Sequence, residues 1–316
     1  MRVVWLTGFG DPSVLVAGDA PDPVPGPGQV LIDVAWANIT FIETQFRATG
    51  NGPFTARPPF VPGNGVGGVV AAAGPDTDEG LVGRRVVSSL NGSGGYAARV
   101  VVDATAPFEV PDGLALDDAV ALLADGRTAT MLIRSAAISP DERVLVEAAA
   151  GGVGSLAVQL AKAAGAHVVA AAGGERKLAI ARELGADTTV DYREPGWASL
   201  TGPLDVVLDG VGGEVAREAF GLLVPGGRML SYGLASGAWA AITPEEAAAR
   251  GVRLLRPSPT PAELREYVAS ALAAGAAGTL RPLIGQRFPL AEAAAAHAAI
   301  EARSTVGKTL LDARPH

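Results

Sequence analysis

Residues 148–155, Ala-Ala-Ala-Gly-Gly-Val-Gly-Ser, carry no acid, histidine or cysteine, so any chemistry here must come from the backbone. They follow the apolar run RVLVEAA and open a segment of helical spacing through Leu160, with the strand-like run HVVAAAG close behind. The turn from Ala149 to Gly154 is one substitution away from the G-x-G-x-x-G pattern, with an additional glycine at Gly152. Between a strand and a helix, such a turn offers free amide N–H groups and the positive helix end to a dinucleotide's diphosphate. Gly151 would let the phosphates approach the backbone, and Gly154 would let the helix pack closely on the strand. Ala150, Gly151, Gly152, Val153 and Gly154 are therefore the candidate diphosphate seat. A plain helix–strand contact between small residues is the alternative, and the strand–helix–strand context favours the ligand reading.

The next question is which dinucleotide. A coenzyme without a 2′-phosphate expects a carboxylate for its ribose about 20 residues past the turn. Here the strand ends at Gly173, 19 residues beyond Gly154, and Gly174, Glu175, Arg176 and Lys177 follow. No acid closes the strand, two bases come next, and Tyr192 closes the following strand in VDYRE. This pattern favours NADP(H) over NAD(H). Glu175 argues mildly the other way, and a solvated helix start is the alternative for Arg176 and Lys177.

Elements of matching type must position these residues. Up to residue 119 the chain is β-rich: MRVVWLTGF, QVLIDVAWANI, NGVGGVVAAAG, GRRVVSSL and YAARVVVD are short apolar runs separated by Pro/Gly turns. This suits a small, partly closed β-barrel. Leu116 to Ile138 reads as a helix, and strands then alternate with helices as far as VRLLRPS. Alternation predicts an α/β fold with a doubly wound parallel sheet. A helix over Ala262 to Ala274 and a final strand, GKTLLD, are expected to return to the first domain. The expected domains are 1–119 with 258–316, and 120–257.

Composition narrows the function classes. Hydrophobic residues make up 48 % and charged ones 18 %, as in a globular protein. A net charge of −8 argues against nucleic acid or an anionic membrane as partner. No apolar run reaches membrane-span length, and the N-terminus reads as a strand rather than a signal peptide. The absence of cysteine excludes disulfides and thiolate metal sites and fits a cytoplasmic location.

The stretches AAAGGVGSLAVQLAKAAGA, ARELGADTTVDYRE, LDVVLDGVGG, LVPGGRMLSYG and STVGKTLL, with PGPGQVLIDVAWANI and FVPGNGVGGVV, resemble one family over essentially the whole chain. It is the zinc-independent, zeta-crystallin-like quinone oxidoreductase branch of the medium-chain dehydrogenase/reductase superfamily. The resemblance implies a GroES-like catalytic domain, a Rossmann domain, NADPH in the cleft and a homodimer paired through edge strands around Val252 to Arg256. By position it places Gly151 to Gly154 on the diphosphate, and Gly173, Lys177 and Tyr192 around the 2′-phosphate. Thr128, Tyr232, Gly233 and Lys308 fall on the nicotinamide side. Zinc-dependent relatives carry Cys-His-x-Asp and Gly-His-Glu where this chain reads Thr40-Phe41-Ile42-Glu43 and Gly63-Asn64-Gly65, so no metal is expected. His167, His297 and His316 read as structural or solvated.

The chain departs from the family pattern in its substrate half. Thr40 replaces an asparagine, Gln45 a tyrosine and Gly65 a glutamate, while Asp125 and Arg127 are charges where the family often has uncharged or basic residues and an aliphatic. For Glu43, Asp125 and Arg127 one reading is a surface or mutual ion pair. The other is a charge in the pocket that recognises a polar substrate or moves a proton. Asn64, Asn91, Tyr96 and Trp239 are further candidates to shape that pocket. The expected activity is NADPH-dependent hydride transfer to a quinone or other conjugated carbonyl, with Thr40, Glu43, Gln45, Asp125 and Thr128 as candidate catalytic residues. Alternatives are a specialised biosynthetic enoyl reductase, a redox-neutral tailoring enzyme, or a non-catalytic NADPH-binding sensor or structural dimer.

Overall fold

A computed structural model describes residues 1–315; His316 lies outside the described residues, and its reading with it. The strands are β1 (Arg2–Leu6), β2 (Leu15–Asp19), β3 (Gln29–Ile39), β4 (Gly65–Ala73), β5 (Arg85–Ser89), β6 (Arg99–Asp103), β7 (Phe108–Glu109), β8 (Arg143–Glu147), β9 (His167–Ala172), β10 (Thr188–Asp191), β11 (Leu204–Asp209), β12 (Leu223–Ser231), β13 (Arg253–Leu255), β14 (Ile284–Pro289) and β15 (Lys308–Asp312). The helices are α1 (Phe41–Thr49), α2 (Leu116–Ala136), α3 (Gly152–Ala163), α4 (Glu175–Glu183), α5 (Gly213–Gly221), α6 (Pro244–Ala249), α7 (Pro261–Ala276) and α8 (Ala293–Glu301). They form two compact units: Met1–Ala124 with the chain from Ala271 onward, and Asp125–Ser270. The division falls inside α2 and α7.

The first unit is built on β3. This long strand, rich in Val, Ile and Trp, pairs antiparallel with β4, β6 and β15, and the sheet runs β14-β15-β3-β4-β5-β7. Val30, Ile32 and Val34 enter the hydrophobic core, then Ala37 and Ile39 do. The register shift between Val34 and Trp36 causes that change of parity, because an extra residue reverses which side chains point inward. It also turns the polar Asn38 away from this core. Tyr96, Leu290 and Leu311 close the same cluster, and burying each large apolar side chain there stabilises by about 1.5–3 kcal/mol.

The second unit has a six-stranded, fully parallel sheet in the order β10-β9-β8-β11-β12-β13. Its inner strands β8, β9 and β11 are buried apolar runs without alternation, as a sheet covered by helices on both faces requires. The strand order reverses between β8 and β11, and the carboxyl ends of these two strands are where such a sheet takes a ligand. The last strand of the order, β13, is an edge.

Candidate functional site

The glycine turn leaves the carboxyl end of β8 in the second unit. Gly151 is the N-cap of α3, with extended backbone at φ −83° and ψ 175°. The first helical bond runs from Ser155 N–H to the Gly151 carbonyl, so the amides of Gly152, Val153 and Gly154 precede the helical ladder. A Cβ on Gly154 would overlap the Ala148 carbonyl oxygen, so only glycine lets α3 lie this close to the turn. A Cβ on Gly151 would meet only that same oxygen, at 3.1 Å, and otherwise open space. Ala150 beside it is buried. A cradle of amides that precede the helical ladder, with open space over Gly151, fits a diphosphate. One acid reaches this cradle: Asp125 on α2 is buried, and a Cβ on Gly152 would overlap its Oδ2. Thr128 lies one helical turn further along α2, half-buried.

The end of β9 forms a second cradle. Gly174 caps α4 with φ +93°, a conformation that favours glycine, and donates its N–H to Asp191 Oδ2 at 2.9 Å. A Cβ on Gly173 would meet the Arg193 side chain at 3.1 Å and the Tyr192 ring at 3.5 Å. Arg193 itself is held by Asp191 through two bonds, Nε–Oδ1 at 3.0 Å and Nη2–Oδ2 at 2.7 Å. The Arg193 guanidinium and two backbone amides hold the Asp191 carboxyl low, to about 2. Lys177 is half-buried on the first turn of α4, whereas Arg176 is exposed. Glu175 does not contest the site, because Arg182 draws its carboxylate along the helix at 2.6 Å. Arg193 went unnoticed in the sequence; the only signal was its place beside Tyr192.

A pair of acids that spacing alone does not single out closes β8 and β11. Glu147 ends β8 and Asp209 ends β11, and both are fully buried. Val211 N–H lies 3.2 Å from Glu147 Oε2 and 3.1 Å from Asp209 Oδ1, and Gly212 N–H donates to that Oδ1 at 2.7 Å. Burial first, then the neighbouring Asp209, holds the Glu147 carboxyl well above its usual range, so the pair keeps a proton. Tyr232 lies above them, its hydroxyl donating to the Glu147 carbonyl at 2.9 Å, and burial pushes its pKa up. Gly233 follows, where a Cβ would come within 2.6 Å of the Gly210 oxygen. Trp239, more than half exposed, lies on the loop that follows.

In the first unit, Thr40 and Glu43 form a capping box at the start of α1. Glu43 Oε2 accepts from the Thr40 N–H at 2.7 Å and from its hydroxyl at 2.6 Å, and Oε1 accepts from Asn64 N–H at 3.0 Å. Glu43 is thus buried rather than on the surface, and burial raises its pKa against these bonds and the nearby charge of Lys308. Lys308 is the buried first residue of β15. Gln45 is half-buried two residues further along α1, and residues so spaced on a helix do not share a face. Thr40, Glu43, Asn64 and Lys308 therefore assemble, while Gln45 stands apart. A Cβ on Gly65 would strike the Asn38 amide at 2.7 Å, so Asn38 occupies the space that this glycine leaves. Among the described residues, neither polar atom of that buried amide has a hydrogen-bond partner. Tyr96 is core: its hydroxyl meets His297 Nε2 at 2.9 Å, and burial holds His297 down at about 3. Asn91 is exposed with φ +52°. His167 opens β9 beside Thr188 Oγ1.

Comparison with known proteins matches both halves of the chain. Residues 26–112 match the alcohol dehydrogenase GroES-like domain and residues 152–271 the zinc-binding dehydrogenase family. Human quinone oxidoreductase is 32 % identical over 98 % of this chain and 97 % of its own length. The chain belongs to the quinone oxidoreductase branch of the medium-chain dehydrogenase/reductases. A 2-haloacrylate reductase of a Burkholderia species is 33 % identical over 91 % of each chain. The quinone oxidoreductase of Thermus thermophilus, solved also in complex with NADPH, superposes with a TM-score of 0.85 and 35 % identity, covering 99 % of this chain and 100 % of that one. Within this oxidoreductase the donor set does not fit a zinc ion. It has no cysteine, Glu43 already accepts three hydrogen bonds, and among the described residues no three His, Asp or Glu side chains converge.

Proposed function

We propose that this oxidoreductase is NADPH-dependent and metal-independent and reduces a quinone or another conjugated carbonyl compound. The observation that carries the reading is the paired cradle of the second unit, a glycine turn at the start of α3 and a cationic notch at Gly173 and Gly174. Gly151, Gly152, Val153 and Gly154 hold the diphosphate through their amides. Lys177, Tyr192 and Arg193 hold the 2′-phosphate. The Thermus relative's NADPH complex supports the assignment. Bound coenzyme supplies a hydride from the nicotinamide ring. The protein binds and orients it, and hydrogen-bond donors stabilise the oxyanion that develops on the acceptor. In the first unit, Lys308 is a buried cationic donor whose charge reaches Glu43, and the Thr40–Glu43 box fixes the start of α1. Among the described residues no helix is long and apolar enough to cross a membrane, and a cysteine-free chain suits a reducing cytoplasm. A homodimer pairing through β13 completes the proposal. Stopped-flow loss of NADPH absorbance is expected with simple quinones and enones. Tight NADPH binding without turnover across a broad panel overturns it.

The similarity to 2-haloacrylate reductase favours a second reading, an activated alkene as acceptor. Such a substrate needs a proton on its α carbon as well as a hydride. Glu43, with its raised pKa, is the buried acid available in the first unit. A solvent isotope effect on enone turnover that Glu43→Gln abolishes, with quinone turnover kept, distinguishes this reading.

A further inference from the structure

The glycine turn already meets an anion of the protein's own. Asp125 is 7 % exposed, and its Oδ2 fills the space into which a Gly152 side chain would project. Gly152 is the first residue of α3, so the carboxylate lies at the positive end of that helix. Asp125 sits near the middle of α2, a helix of 21 residues, which fixes its position relative to the turn. Arg127, two residues on, is the cation that feels the Asp125 charge. All of these groups belong to the same compact unit.

We propose that Asp125 is a built-in competitor on the dinucleotide seat: it stabilises the glycine turn when coenzyme is absent and weakens the seat for the coenzyme's diphosphate. The inference rests on the coenzyme reading above. A diphosphate must take the amides and the helix end against which Asp125 lies, and its charge has the same sign. At contact distance, two like charges near a protein surface repel enough to change an equilibrium constant several-fold. Asp125 therefore sets affinity and release, and acts on the coenzyme rather than on the acceptor. The penalty falls on the diphosphate, so it is common to NADPH, NADH and ADP-ribose and differs from any effect of the 2′-phosphate notch.

Titration calorimetry of the full chain with NADPH, NADH and ADP-ribose tests this, using wild type, Asp125→Asn and Asp125→Ala. Asp125→Asn is expected to bind all three roughly five- to tenfold more tightly at low salt, with a smaller gain at high salt. Asp125→Ala should shift in the same direction. Without nucleotide, scanning calorimetry should find both variants melting below wild type, because the helix end loses its anion. Equal or weaker binding by both variants overturns the inference and leaves the coenzyme reading intact. A gain confined to NADPH also overturns it. If no nucleotide binds to wild type or to either variant, the coenzyme reading falls and the inference falls with it.

Discussion

Arg193 and Lys177 approach the Gly173–Gly174 cradle from opposite directions in sequence, one from the end of β10 and one from the first turn of α4. A charge-assisted hydrogen bond to a phosphate outlasts most surface contacts. Lys177→Ala and Arg193→Ala should each weaken NADPH binding roughly tenfold and leave NADH nearly unchanged. Equal losses for both coenzymes would place these residues elsewhere. The places of Lys177 just past β9 and of Tyr192 at the end of β10 are legible in the sequence, because the distance from the glycine turn points to the end of β9. That of Arg193 is not, because it depends on a turn that folds back and on the Asp191 carboxylate that steers it. His297 makes a separate prediction. Its pKa in the folded chain is about 3, below the 6.5 of an exposed imidazole, so its contribution to stability is present above pH 6.5 and lost as pH falls toward 3. The loss approaches about 1.4 kcal/mol per pH unit. Denaturant unfolding at pH 7, 6 and 5 should therefore show wild type losing more stability than His297→Gln; parallel losses would refute a buried neutral imidazole.

Elements were easier to read than their surroundings. The strand QVLIDVAWANI is β3 residue for residue, and the alternation from β8 onward became the parallel sheet, because apolar runs between glycine turns leave few other arrangements. Helix α1 is short and absent from the sequence reading, although Thr40 followed three residues later by Glu43 is a capping-box signature. The same two residues also stand where zinc-dependent relatives carry ligands, so type and position alone leave a helix start and a pocket residue both open. Strands β2 and β14 and helix α8 are short or alanine-rich, so periodicity gave them little signal. Glu147 and Asp209 lay in plain view as acids closing apolar strands, but only the pairing of β8 with β11 brings them together. Their effect belongs to the turn over residues 210–212, whose amides they hold. The folded-state pKa of Glu147 is raised above its unfolded value. Its contribution is thus full below about pH 4.5 and is lost as pH rises through the raised value. Glu147→Gln keeps the shape and removes the titration. The variant should gain stability relative to wild type as pH rises from 5 to 9, measured by denaturant unfolding. A difference that stays constant over that range would mean that the pair holds no extra proton.

For the molecule as a whole, the open question is how the edge at β13 is covered. Three residues, Arg253–Leu255, end the parallel sheet on the side opposite β10, and β12 satisfies only one side of them. An exposed edge is a template for another strand, and proteins either blunt it or pair it. Only Arg253 is fully exposed; Leu254 and Leu255 are half-buried, which suits continued packing. Pairing of β13 with its own copy about a two-fold axis would join two sheets into one, the isologous contact that a closed dimer requires. The net charge of −8 opposes association at low salt, so the contact must rest on backbone bonds and apolar burial. Light scattering after size exclusion should give twice the chain mass at micromolar concentration, and more firmly so at higher salt. Leu255→Asp should shift the population to monomer while NADPH still binds, because the cradles on α3 and α4 lie on other strands. A wild-type monomer at every salt concentration would refute pairing through this edge, and a Leu255→Asp dimer of unchanged stability would move the interface elsewhere.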